Sequence, residues 1–422
     1  MKEPRRVLIV GQGYVGLPLA VRAVEAGYHV IGYDINETRV TRLRAGESYI
    51  EDVPAERLAA ALASGRFEPS ADSGAAAGFD IAVITVPTPL RAGVPDLTFV
   101  EHATSMLGEH LRPGATVVLE STTYPGTTDD IVAPLLERIS GCRAGHDFHL
   151  GHSPERIDPG NASWQFENTP KIVSGVNESS LQAIQAFYDT IVHKTVSVAS
   201  PRVAELAKLL ENTFRLVNIA LVNELATFTR DLGVDVWEAI DAAATKPYGF
   251  TRFVPGPGVG GHCIPVDPTY LSWSVRRSTG RAFRLVELAS EINRQMPDYL
   301  VSRLTTGLNS RGKPVKGSRI LLLGMAYKKN TGDARESPSL RIAERLVAMG
   351  AEVRIIDPHV DELPQDDGTR RTDFSAGEIA AADAVILLTD HDSFDLDVVS
   401  THAEYVLDSR NKMRAGTAVE VL

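Results

Sequence analysis

The stretch RVLIVGQGYVGLPLAVRAVEAGYHVIGYD, residues Arg6 to Asp34, reads as strand, glycine turn, helix and second strand. Its opening apolar run, Val7 to Val10, is short and β-branched, as a parallel strand covered on both faces should be. Gly11, Gly13 and Gly16 follow in G-x-G-x-x-G spacing, with Tyr14 and Val15 between the last two. The first glycine permits the turn, the second lets backbone approach a pyrophosphate, and the third lets helix pack closely on strand. Asp34 closes the second strand, 18 residues after Gly16, where a carboxylate accepts ribose hydroxyls and repels a 2′-phosphate. The pattern predicts a dinucleotide site that prefers NAD to NADP. Arg39, five residues on, works the other way.

The same plan returns at RILLLGMAYKKNTGDARESPSLRIAERLVAMGAEVRIIDP, from Arg319 to Pro358. Here Gly324 is followed by Ala326 and then by Lys329 where the third glycine would stand. The tight cradle is lost and Lys328 and Lys329 add positive charge, which suits a nucleoside diphosphate held partly by lysine. Each unit has a further buried strand downstream, in FDIAVITVPTP and in ADAVILLTDHD. Between them, Leu206, Leu210, Phe214, Val217, Leu221, Leu225 and Phe228 recur at helical spacing with no proline inside. That predicts one helix of roughly 30 residues, about 45 Å long, apolar enough to pack on several sides, a second subunit among them. The fold class expected is α/β, with two Rossmann-like doubly wound parallel-sheet domains joined by a long-helix central domain. The expected boundaries are residues 1–198, 199–311 and 312–422, with GKPVKGS as the second linker.

The chain has 422 residues, a formal net charge of -11 and 43% hydrophobic residues. The acidic balance argues against non-specific binding to nucleic acid or to an anionic membrane. Two cysteines make no disulfide framework, and no apolar run approaches ~18 residues, so a cytoplasmic protein is expected. No metal cluster is expected either.

One of the two cysteines, Cys263, lies in PGPGVGGHCIPVDP, Pro255 to Pro268, which reads as a stiff, tight loop. A thiol is a nucleophile only as thiolate, and backbone N–H groups in such a segment stabilise both a thiolate and an oxyanion. Cys142, in SGCRAG, has no such setting. A dinucleotide site and an activated cysteine together suggest oxidation through a thiohemiacetal to a thioester that water cleaves. Other polar residues gather in ESTTYPGTT (Glu120 to Thr128) and in GHSPERIDPGN, which holds Glu155, Arg156 and Asp158. Lys208 and Asn212 stand four apart on the long helix and share one face.

GQGYVGLPLA, ESTTYPGTT, SPERIDPGN, AELAKLLENTF, GPGVGGHCIPVDP and GMAYKKNTGDARESPS occur in that order, and on them the chain resembles the UDP-glucose/GDP-mannose dehydrogenase family from end to end. The resemblance implies oxidation of a sugar C6 alcohol to a carboxylate with two NAD+, a UDP-sugar substrate, and a homodimer formed through the central helix. It makes Cys263 the nucleophile, Lys208 and Asn212 the oxyanion stabilisers, and Asp267 the holder of the lysine and a water. Thr122 orders the catalytic water, and Glu155 acts with it as base. Gly11, Gly13, Tyr14, Val15, Gly16, Asp34, Arg39, Thr88, Thr122 and Arg335 fall on cofactor positions. Glu155, Arg156, Lys208, Asn212, Arg252, Phe253, Gly260, His262, Lys328 and Arg410 fall on the substrate side. Enzymes acting on UDP-glucose usually carry Gly-Gly-Ser-Cys-Phe-Pro-Lys-Asp at the nucleophile. GGHCIPVDP is instead similar to the branch that oxidises UDP-N-acetylhexosamines, above all UDP-N-acetylglucosamine, for polysaccharide biosynthesis. UDP-glucose and UDP-N-acetylmannosamine are the alternative substrates. A two-electron hydroxyacid dehydrogenase and a non-catalytic nucleotide-sugar sensor are more remote.

Overall fold

The computed structural model describes residues 5–50, 52–157, 161, 163–261, 263–361 and 368–422, without the side chain of Cys263. His262 and Asp158 lie outside the described residues. The chain forms two compact units, one of residues 1–211 with 273–280, the other of 212–272 with 281–422.

The first unit is built on β1 (Arg6–Val10), β2 (His29–Tyr33), β3 (Phe67–Ser70), β4 (Ile81–Ile84), β5 (Thr116–Leu119) and β6 (His149–His152). All pairs are parallel in the order β3-β2-β1-β4-β5-β6. The order reverses between β1 and β4, and ligands of such sheets bind beyond the carboxyl ends of the strands at that point. β7 (Lys171–Val173) and β8 (Thr195–Ser197) add a parallel pair. Helix α1 (Gly16–Glu25) buries Leu17, Leu19, Ala20, Val21, Ala23 and Val24 in the same core as Val7 and Ile9. Helix α2 (Glu178–Tyr188) adds Ile184, Phe187 and Tyr188 to it.

Gly11 has φ +98, and a Cβ there would lie 2.7 Å from the Thr85 carbonyl oxygen. At Gly16 a Cβ would lie 1.8 Å from the Gly11 carbonyl oxygen. At Gly13 it would meet nothing within 4 Å. The outer glycines close the turn, and the middle one leaves a surface open.

Helix α3 (Pro201–Phe228) has 28 residues and passes from the first unit into the second. Its apolar stripe faces outward: Leu206, Leu210, Phe214, Leu221 and Phe228 are all exposed, Leu210 at 62%. The inward side buries Glu205, Lys208, Asn212 and Asn223 alongside Ala204, Leu209, Leu216 and Ala220.

In the second unit, α4 (Cys263–Thr279) begins at the cysteine, and its last turns, 273–280, belong to the first unit. The segment expected as a loop is thus a loop only up to the cysteine. Pro265 falls among the first four helical positions, whose N–H groups have no intrahelical partner, so it interrupts nothing. Helix α5 (Arg284–Asn309) sends Met296, Leu300, Leu304 and Leu308 into a core shared with Ile320 and Leu322. The second sheet comprises β9 (Arg319–Leu323), β10 (Glu352–Ile356), β11 (Thr369–Arg371), β12 (Ala384–Leu387), β13 (Val406–Asp408) and β14 (Val419–Val421). Its parallel order, β11-β10-β9-β12-β13-β14, repeats that of the first. Helix α6 (Pro338–Ala348) covers it as α1 covers the first, burying Ile342, Ala343 and Leu346.

The two turn glycines make a stability prediction. Gly16→Ala drives a methyl into backbone and should cost at least ~1–3 kcal/mol in denaturant unfolding. Gly13→Ala enters open space and should stay within about 0.5 kcal/mol of wild type. Equal losses would show that Gly13 is also packed.

Candidate active site

At the carboxyl end of β2, Asp34 is 5% exposed. Its Oδ2 accepts from the Gln12 N–H at 2.9 Å, and its Oδ1 accepts from the Asn36 N–H at 2.9 Å. The Arg39 guanidinium lies 3.4 Å from Oδ2 on a half-exposed side chain. Oδ2 accepts from both Gln12 and Arg39, while Oδ1 retains a lone pair, so the group is oriented by the turn and still able to accept from a ribose. Val15 is the N-cap of α1, Tyr14 is 43% exposed, and Thr88 is buried. The open surface at Gly13 and the oriented Asp34 fit a dinucleotide.

Deeper in the same unit four ionisable side chains meet out of water. Glu120 is fully buried, Lys171 is 4% exposed, and Glu155 and Lys208 are 8% exposed each. Lys171 Nζ pairs with Glu120 Oε1, and Tyr188 Oη donates to Glu120 Oε2 at 2.9 Å. Glu155 Oε1 accepts from the Ile157 N–H, whereas Oε2 has no hydrogen-bond partner. Burial pushes the Glu155 carboxyl above the usual range, and the Lys208 ammonium pulls it back. Arg156 is committed elsewhere, to Glu211 at 2.7 Å and to the Pro170 carbonyl at 2.6 Å. Thr122 is half-buried in the loop after β5.

That loop is fastened to α3 by Glu205, which is 1% exposed. Its Oε2 accepts from the Gly126 N–H at 2.6 Å, and its Oε1 from the Thr128 N–H and hydroxyl at 2.9 and 2.7 Å. Burial outweighs these bonds and pushes its carboxyl up to about 7.

In the second unit Asn212 Nδ2 donates to Asp267 Oδ2 at 2.5 Å, both side chains buried. Asp267 lies four residues after Cys263 on α4, so the two share a helix face. Asn212, one turn along α3 from Lys208, is thus a partner of Asp267. The glycine segment packs on the second glycine-turn motif. A Cβ at Gly260 would meet the Tyr327 side chain at 2.7 Å, one at Gly261 would meet its ring at 2.9 Å, and the Gly261 N–H donates to the Arg335 carbonyl at 3.1 Å. Asn223 accepts from the Gly256 N–H at 2.9 Å and donates to Asn293 at 2.8 Å.

Arg410 donates from Nε to the Leu388 carbonyl at 2.6 Å, and a Cβ at Gly256 would lie 3.1 Å from its Nη1. Arg252 is held by Asp241 at 2.7 Å, and the Phe253 ring stands edge-on to Phe214 with centroids 5.7 Å apart. Arg335 is bidentate to Asp333. Of the two lysines in the motif, Lys329 is paired with Asp392 at 2.5 Å, so the charge expected from it is shared with a carboxylate. The turn itself is occupied by protein: the Met325 and Ala326 N–H groups donate to Asp357 Oδ2 at 2.6 and 2.9 Å. Burial opposes charge on Asp357, yet His391 and these N–H groups hold its pKa well below the usual carboxylate range.

Three models of one family match in chain order. They are the NAD binding domain over residues 5–192, the central domain over 202–295 and the UDP binding domain over 321–415. The chain belongs to the UDP-glucose/GDP-mannose dehydrogenase family. It is therefore an NAD-dependent nucleotide-sugar dehydrogenase. Among relatives, the UDP-N-acetyl-D-mannosamine dehydrogenase of Pyrococcus horikoshii is 36% identical over 390 residues, 92% of this chain and 90% of that one. The UDP-N-acetyl-D-glucosamine 6-dehydrogenase of Pseudomonas aeruginosa is 36% identical over 395 residues, 92% of this chain and 91% of that one. A solved structure of UDP-D-ManNAc dehydrogenase from Pyrococcus horikoshii superposes with TM-score 0.90 at 33% identity, covering 99% of this chain and 98% of that chain. Among the described residues of this dehydrogenase no helix is long and apolar enough to cross a membrane.

Sequence reasoning quoted Glu120 and Glu205 inside motifs and gave neither a task. It passed over Lys171, Tyr188 and Asn223 altogether. No local signal marks Lys171, which is 51 residues from the carboxylate it pairs with.

Glu205 makes the dehydrogenase's stability depend on pH. Its folded pKa lies above the unfolded value near 4.5, so its contribution is full below about 4.5 and lost as pH rises through about 7. The loss is on the order of 3 kcal/mol at most. Glu205→Gln should flatten denaturant midpoints measured between these limits, and an unchanged slope would assign the dependence to other groups.

Proposed function

We propose that this dehydrogenase oxidises the C6 alcohol of a UDP-N-acetylhexosamine, UDP-N-acetylglucosamine before the others, to the uronic acid in two NAD+-dependent steps. The observation that carries the reading is the Asn212–Asp267 bond. It ties the helix that starts at Cys263 to α3 at Asn212, which supports a nucleophile and an oxyanion stabiliser held by one buried contact. The loop sequence GGHCIPVDP and two relatives named for N-acetylhexosamines support the sugar class. Bound NAD+ would supply the hydride acceptor for both oxidations, and the hydroxyl proton of the C6 alcohol would leave to water in the first. The Cys263 thiolate, at a helix N-terminus that favours negative charge, adds to the C6 aldehyde, and Lys208 and Asn212 stabilise the oxygen that becomes negative. Glu155, with Thr122 ordering the water, then removes a proton as the water oxygen bonds to the thioester carbon. The C–S bond breaks with its electron pair on sulfur, which restores the thiolate.

Asp34 sets the preference for NAD+ over NADP+, and the final unit around Lys328 and Arg410 holds the UDP. The three-part division of function follows residues 1–198, 199–311 and 312–422. The exposed stripe Leu206, Leu210, Phe214, Leu221 and Phe228 packs against the same stripe of a second copy, a reading supported by the length and exposed apolar face of α3. The product supplies uronic acid units for polysaccharide biosynthesis in the cytoplasm.

The decisive measurement is NADH formed per UDP-sugar consumed, for the N-acetylglucosamine, N-acetylmannosamine and glucose sugars in parallel. Two NADH per UDP-N-acetylglucosamine, with at least ~10-fold lower kcat/KM for UDP-glucose, is expected. Cys263→Ala should bind both ligands yet make no uronic acid, and Glu155→Gln should accumulate a thioester visible by intact mass. Two NADH per sugar from Cys263→Ala at wild-type rate would rule out the covalent route.

A further inference from the structure

Glu155 presents one oxygen, Oε2, that is buried and accepts no hydrogen bond. Lys171 Nζ lies 3.6 Å from it, too far for a hydrogen bond and close enough for a strong charge interaction. Lys171 opens β7 and is held from three sides. Glu120, just past β5, pairs with it; Tyr188, at the end of α2, lies under it with the ammonium 5.3 Å from its ring centroid; Phe166 closes the other side at 5.6 Å. Glu120 is itself fixed by the Tyr188 hydroxyl on its second oxygen. We propose that Lys171 is a positioning residue for Glu155: an inner ammonium, clamped by Glu120 and Tyr188, that keeps the Glu155 carboxylate ionised and ready to take the proton of the hydrolytic water. This rests on the reading of Glu155 as the base of the hydrolysis step.

The charges around Glu155 make the claim specific. Lys208 faces it from α3, Lys171 from β7, and Glu120 from behind Lys171; Tyr188 approaches from α2, and Arg156 adjoins it in its own segment. Burial raises the Glu155 pKa, so an uncompensated carboxylate would be protonated and useless as a base near neutrality. Burial and the Lys208 charge also press the Lys171 pKa down, and the carboxylates of Glu120 and Glu155 oppose them. Two carboxylates and two ammonium groups therefore balance within one water-poor cluster. Lys208 is exposed to the changing charge of the reaction, whereas Lys171 stands behind Glu155 and is a constant partner.

The test is the pH profile of kcat for NADH formation with saturating UDP-N-acetylglucosamine and NAD+, from about pH 5 to 10. Lys171→Met removes the ammonium, so the acid limb should move up by about one unit or more. At neutral pH kcat should fall roughly tenfold and recover in base, with KM for both substrates within about twofold. Glu120→Gln removes the competing carboxylate and leaves Lys171 to Glu155, so the acid limb should move down. Opposite shifts of one limb are not produced by a merely structural role. If Lys171→Met fails to fold because Glu120 is left buried alone, Glu120→Gln and the paired Glu120→Gln/Lys171→Met variant carry the test. The paired variant should fold and show the limb above that of Glu120→Gln. Unshifted limbs, or equal loss at every pH in all variants, would overturn the role of Lys171. Glu155→Gln with wild-type kcat and an unchanged acid limb would overturn the reading of Glu155 itself, and this inference with it.

Discussion

A single uninterrupted helix, Pro201–Phe228, sets the spacing of most of the chemistry. Glu205, Lys208, Asn212 and Asn223 are three, four and eleven residues apart, so at 100° per residue they fall within about 60° on one face. All four are buried, and hydrogen bonds lead from this face to the Gly126–Thr128 loop, to Asp267 and to Gly256. The opposite face carries the exposed apolar residues. This helix reverses the usual arrangement of a surface helix, with polar groups inward and apolar groups outward. Glu205, Asn212 and Asn223 are tolerated there because each is hydrogen-bonded, Lys208 faces the charge of Glu155, and the outward groups ask for cover.

The buried charges follow the same logic of enforced partnership. Removing a carboxylate or an ammonium from water costs several kcal/mol, so a chain buries such groups only in compensating sets. Glu120 with Lys171 is a paired set closed by Tyr188. Glu205 is a single carboxylate satisfied by N–H and hydroxyl donors, and it consequently titrates near neutrality. Glu155 lies between these cases, with one oxygen bonded and one bare. An incompletely satisfied carboxylate is a poor structural element and a good base.

The two sheets share a topology and use it differently. At the first switch point, Asp34 takes one turn N–H and keeps capacity for a ligand beside the open surface of Gly13. At the second, Asp357 takes two turn N–H groups and the His391 ring, which closes the cradle from within. Gly324 still serves the turn, since a Cβ there would lie 2.5 Å from the Thr389 carbonyl oxygen. Those two turn N–H groups are therefore not offered to a ligand.

Local pattern was enough for the sheets, the glycine turns and the long helix, because strand burial, left-handed turns and helical period are properties of neighbouring residues. Cys263, Glu155, Lys208 and Asn212 were singled out in the same way, each from a short motif. The sequence alone misplaced the boundary at Cys263, since Pro265 in the first helical turn and Pro268 just inside the helix both look like loop. It also could not say which side of the long helix faces inward, because hydrophobic period identifies a stripe and not what covers it. Lys171 and Tyr188 emerged only in three dimensions. They reach Glu120 across 51 and 68 residues, and a buried ion pair leaves no trace in the residues next to either partner.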